Sequence, residues 1–206
     1  GKVFRNPTVV VMAVVYFLLK PTRYAILFWG PVIASDRLAS DSFALAASLP
    51  AAFEAAGLVA PIAIGFVSDT LFRARRFPAC VLSLLLLAVV LLLFGPLTRS
   101  GSTGGMLIAF FLIGFFLYGP DSMVSATAAV DFGTKKGAGS AAGFINGCGS
   151  FGQILGVALP GYLMVWFPGD DTTIMLFYGF SASALVASVL LIPLWNRVPP
   201  TPRVSS

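Results

Sequence analysis

Apolar residues in this chain run in long blocks, with polar residues gathered mostly between them. One block, the run from Val81 to Phe94, is apolar on nearly every face of a helix. An amphipathic soluble helix would show a single apolar stripe, and a membrane β-strand would alternate strictly. Neither pattern is present. A block of roughly 20 apolar residues is long enough to cross the hydrocarbon core as a helix. Six such blocks are read, at about residues 8–33, 42–67, 78–97, 105–130, 138–167 and 173–195. The expected fold class is therefore all-α: a membrane protein of six transmembrane helices in a lipid bilayer.

Composition sharpens this picture. Of 206 residues, 58% are hydrophobic and 10% charged, against about 25% charged in a soluble domain. The net charge of +5 comes from cations scattered along the chain, so no basic stripe for nucleic acid is expected. The chain has no histidine, which excludes a histidine-based metal site or proton switch within it. Cys80 and Cys148 both fall in expected spans and imply no disulfide framework. The chain begins at Gly1, and a segment of a longer protein is expected.

Loop charge gives an orientation. With these spans, Lys2, Arg5, Arg73, Arg75, Arg76, Lys135, Lys136, Arg197 and Arg203 fall on one side. Only Arg37 and Arg99 fall on the other, with Asp36, Asp41, Asp170 and Asp171. By the positive-inside rule both termini of this segment are expected in the cytoplasm.

Within the first span, Lys20 and Arg23 sit three residues apart, on one helical face. Each cation near the bilayer centre costs roughly 2.5–3.5 kcal/mol. Such a pair calls for a bound anion, a watery cavity or an acidic partner in a neighbouring span. Arginine offers a planar fork suited to phosphate or carboxylate, and lysine a point charge. Tyr16 and Tyr24 share the face of Lys20. Pro21 should loosen the helix between the two cations and free a carbonyl. Glu54 in the second span and Asp121 in the fourth are the intramembrane acids. Either could pair with the cations or carry a proton. Tyr118 lies one turn from Asp121, and Gly119–Pro120 between them suggests a broken helix lining a cavity. The fifth span carries Gly139, Gly143, Gly147, Gly152 and Gly156, a spacing for close helix packing or for a sliding surface. Where the second span closes, Asp69 near the helix end is followed by Arg73, Arg75 and Arg76, a candidate charge latch or a plain cytoplasmic anchor.

Gly65-x-x-x-Asp69 with this basic cluster resembles the loop signature of the major facilitator superfamily. Within that superfamily, Arg23-Tyr-Ala-Ile-Leu-Phe-Trp29-Gly-Pro31 is similar to the seventh helix of organophosphate:phosphate antiporters. Glu54-Ala-Ala-Gly-Leu-Val, Phe115-Phe-Leu-Tyr118-Gly-Pro120, Asp131-Phe-Gly-Thr134 and Lys135-Lys-Gly-Ala-Gly-Ser-Ala-Ala-Gly143-Phe resemble the same group. The resemblance implies the C-terminal six-helix half of a carrier, whose N-terminal half would lie opposite. It implies a carrier of glycerol-3-phosphate or sugar phosphate in exchange for inorganic phosphate, by rocking alternating access. Arg23 matches a phosphate-gripping arginine, and Lys20 a lysine of exchanger-type members. Where the glycerol-phosphate type tends to have an amide, this chain has Asp121. No covalent chemistry and no cofactor are expected. The alternatives are a proton-coupled carrier of another organic anion and a transporter-like sugar-phosphate sensor.

Overall fold

The computed structural model describes residues 5–38, 43–130, 135–168 and 171–197. Lys2, Asp41, Asp170, Arg203 and the stretch 131–134 lie outside the described residues, as do the side chains of Lys135, Lys136 and Asp171. All described elements are helical: α1 (Pro7–Arg37), α2 (Phe43–Ser48), α3 (Pro50–Leu71), α4 (Arg76–Leu92), α5 (Phe94–Thr98), α6 (Thr103–Val130), α7 (Lys135–Trp166) and α8 (Asp171–Leu191), with a 3-10 turn at Ile192–Leu194. Five helical stretches are long and apolar enough to cross a membrane, and Arg76–Leu92 is a shorter apolar helix. Helix α5 carries that shorter helix onward, which completes six crossings.

Helix ends follow local chemistry. Asn6 caps α1 by accepting from the Thr8 amide at 3.0 Å, and Pro7 fills the first turn, where its missing N–H costs nothing. Pro50 likewise opens α3. Helix α3 runs to Leu71, with Asp69 near its end. Two expectations are corrected. The third span is not one helix: it turns at Leu93, which swings Phe94 into the core against Phe177, ring centroids 3.7 Å apart. Nor is the fourth span broken at Gly119–Pro120, since α6 is continuous through it. A neighbour explains that continuity. Proline 120 removes the bond that the Phe116 carbonyl would accept, and the Ser83 hydroxyl donates to that carbonyl at 2.9 Å instead. Pro21 and Pro31 are carried inside α1 in the same unbroken way.

The main packing pairs are α1 with α7, α3 with α6, and α4 with α8. Exchanging the first three spans with the last three maps this pattern onto itself, as inverted repeats do. The third and sixth spans are exposed on one side only. Val89 and Val189 are exposed, while Leu84, Leu87, Ala184 and Ala187 are buried. Ser181 donates to the Ala88 carbonyl, and Ser183 to that of Leu18, so hydroxyls tie α8 to α4 and α1.

A candidate anion site between α1 and α6

Lys20 and Arg23 flank the middle of α1, far from either end. Opposite them α6 presents Asp121. Its carboxylate bridges both cations: Oδ1 lies 3.1 Å from Lys20 Nζ, and Oδ2 accepts from Arg23 Nη1 at 2.9 Å. Lys20 and Asp121 are buried, while about a quarter of the Arg23 side chain (26%) stays accessible. The three charges sum to +1, so the cluster keeps a net positive character within apolar surroundings. Arg23 spends one donor on Asp121, and its Nε has no hydrogen-bond partner among the described residues. A guanidinium holds five N–H donors, so the fork retains capacity for a further anion.

Aromatic rings frame the cations. Lys20 Nζ sits 4.3 Å from the centre of the Tyr16 ring and 5.8 Å from that of Tyr24. Arg23 Cζ lies 4.6 Å over the Tyr118 ring and 5.9 Å from that of Tyr24. These are cation–π distances, which stabilise charge without neutralising it. Tyr118 has a second role. Its hydroxyl donates to Glu54 Oε1 at 2.6 Å, and its ring packs on Phe53 at 5.0 Å. Glu54 is exposed on α3 and meets neither cation directly. Of the two intramembrane acids, Asp121 takes both cations and Glu54 takes the tyrosine.

Helix α7 seats the lysine. A Cβ on Gly149 would lie 2.5 Å from the Tyr16 ring, and one on Gly152 would collide with the Phe17 carbonyl and lie 3.2 Å from Lys20 Cβ. At Gly156 it would meet the Pro21 carbonyl at 2.5 Å. These glycines let α7 lie directly on the α1 backbone beside the site. Gly139, Gly143 and Gly147 behave otherwise: nothing lies within 4 Å of their Cβ positions. The glycines singled out from spacing thus fall on two faces. Gly149, which the four-residue spacing passes over, belongs to the packed one. Further along, Trp29 Nε1 donates to the Val157 carbonyl at 2.9 Å and pins the same helix pair.

The α3–α4 loop stands apart from this cluster. Arg73 and Ala74 take left-handed conformations, φ 52° and 62°. The loop is closed by the Ala74 amide donating to the Ser68 carbonyl and by the Ser68 hydroxyl donating to that of Arg75. Arg75 donates to Asn196 Oδ1 at 3.3 Å, joining the loop to the end of α8. Asp69 is exposed, and among the described residues no ion pair links it to Arg73, Arg75 or Arg76.

The profile of the family described as Major Facilitator Superfamily matches residues 1–157. Among curated relatives, the membrane sensor protein UhpC of Escherichia coli K12 is 30% identical over 200 residues, covering 96% of this chain and 44% of that protein. The glycerol-3-phosphate transporter of Bacillus subtilis is 33% identical over 188 residues, 88% of this chain and 39% of that one. Sugar phosphate exchanger 3 of Mus musculus is 26% identical over 198 residues, 93% and 38% of the two chains. The chain spans less than half the length of each of these relatives.

Proposed function

Because the chain belongs to the Major Facilitator Superfamily, we propose that it is the C-terminal six-helix half of a carrier of phosphorylated organic anions. The carrier exchanges glycerol-3-phosphate or a sugar phosphate for inorganic phosphate, and both ends of this half face the cytoplasm. The observation that carries the reading is the pair Lys20 and Arg23 in mid-helix, with about a quarter of the Arg23 side chain (26%) accessible. In this reading Arg23 presents the accessible part of its guanidinium to the phosphoryl oxygens and Lys20 adds a point charge. Tyr24 and Tyr118 border the bound group. The N-terminal half supplies the opposite wall, and rocking of the halves exposes the site to each side in turn. Relatives named as a glycerol-3-phosphate transporter and a sugar phosphate exchanger support the substrate class.

The likeness to UhpC over 96% of the chain favours one second reading, a receptor that binds a sugar phosphate without moving it. Counterflow separates the two. Proteoliposomes holding the complete protein and loaded with unlabelled phosphate should accumulate labelled phosphate, and external glycerol-3-phosphate or hexose phosphate should compete. Ligand binding without any counterflow would replace the carrier with the receptor.

A further inference from the structure

Asp121 occupies both cations of the site from inside the protein. We infer that it is an internal anion which a substrate anion has to displace from Lys20 and Arg23, so that it sets the affinity of anion binding. The inference rests on the anion-binding reading of Lys20 and Arg23. A carboxylate that only balanced charge could sit against either cation. This one divides its two oxygens between them, Oδ1 to Lys20 at 3.1 Å and Oδ2 to Arg23 at 2.9 Å. It thereby imitates the way a phosphoryl group would bridge a point charge and a planar fork.

An incoming phosphate dianion meets a cluster of net charge +1, and one of the three charges repels it. At the low effective dielectric of a membrane interior, that repulsion over a few ångströms is large. The repulsion is relieved when the carboxylate yields Lys20 and Arg23 to the incoming anion, so that anion binding and the Asp121 bridge exclude one another. Among the described residues, the further charged group that touches the site is Glu54 of α3, through Tyr118 and itself acidic.

The test compares the complete protein with its Asp121→Asn variant, using inorganic phosphate as probe. At pH 7.5 the variant should bind phosphate about tenfold more tightly, because the competing charge is gone. Weaker or unchanged binding by Asp121→Asn at pH 7.5 would overturn the inference and leave Asp121 as a residue that only positions Arg23. Thermal stability in buffer without multivalent anions supplies a second arm, independent of which anion is carried. Asp121→Asn should melt below the wild type and recover more than it on addition of phosphate, sulfate or a dicarboxylate. If phosphate binds to neither protein but a dicarboxylate restores the variant, the phosphate reading fails and the internal anion stands. An unchanged melting temperature with no selective recovery would overturn it. Should Asp121→Asn not fold, the double variant Lys20→Gln/Asp121→Asn keeps the cluster at +1 and should bind phosphate more tightly than Lys20→Gln alone. Equal or weaker binding by the double variant would overturn the inference equally.

Discussion

Arg23 and Asp121 stand 98 positions apart and meet at 2.9 Å through Nη1 and Oδ2, joining the middle of α1 to α6. That bond, with the 3.1 Å contact from Lys20, turns two costly intramembrane cations into a paired and still positive cluster. The remaining features of the region serve to hold it: the glycines of α7 behind Lys20, and Tyr118 between Arg23 and Glu54.

Gly152→Ala should damage the seat of Lys20. The added methyl collides with the Phe17 carbonyl, and a backbone atom cannot step aside as a flexible side chain would. A loss of about 2 kcal/mol is expected, in the range for overpacked sites. The measurements are the melting temperature and the apparent KM for the anion, which should rise as Lys20 shifts. Gly179→Ala, whose Cβ would meet nothing within 4 Å, serves as the control and should leave both unchanged within error.

Ser83→Ala removes the donor that replaces the bond lost to Pro120. A cost of about 1 kcal/mol is expected for the unsatisfied Phe116 carbonyl. In a Pro120→Ala background the helix supplies its own N–H, so the same serine substitution should cost little. A double-mutant cycle on thermal stability measures the difference. Additive effects would show that the two residues are not coupled.

The bundle was largely legible in the sequence, because six apolar blocks of spanning length leave few other architectures. The costly pair Lys20 and Arg23 was legible for the same reason: charge stands out against hydrocarbon. What spacing did not reveal is which face of each helix packs. In helices apolar all round there is no stripe to read, so Gly149 and Gly147 look alike although one is buried against Tyr16 and the other open. The extension of α3 to Leu71 carries no proline or glycine signal, whereas the turn at Leu93 is followed at once by Gly95 and Pro96, a stop signal that lies inside an apolar run of spanning length. Nor does the sequence assign Asp121 rather than Glu54 to the cations, since that choice depends on the three-dimensional pairing of α1 with α6.

Ala74→Gly should stabilise the α3–α4 loop. Alanine at φ 62° carries the left-handed penalty of roughly 1–2 kcal/mol, which glycine avoids. Greater chain entropy of glycine in the unfolded state offsets part of this. The expected net gain is about 0.5 kcal/mol, read as a small rise in melting temperature. A fall would indicate that the left-handed turn is not retained in solution.

Tyr118→Phe keeps the ring under Arg23 and removes the hydroxyl that reaches Glu54. If the tyrosine is the connection between Glu54 and the cation cluster, Tyr118→Phe and Glu54→Gln should alter the pH profile of exchange alike. Their combination should then do no more than either alone. Steady-state exchange from pH 5.5 to pH 8 checks this, and fully additive effects would separate Glu54 from the site.

The most direct measurement for the account as a whole is phosphate counterflow by the complete protein carrying Arg23→Lys. The substitution keeps the positive charge but loses the planar fork, so two-point recognition of a phosphoryl group is no longer available. Counterflow should fall by tenfold or more, with protein amount and melting temperature close to wild type. Undiminished phosphate exchange by Arg23→Lys would contradict the assignment of Arg23 as the residue that grips the phosphate.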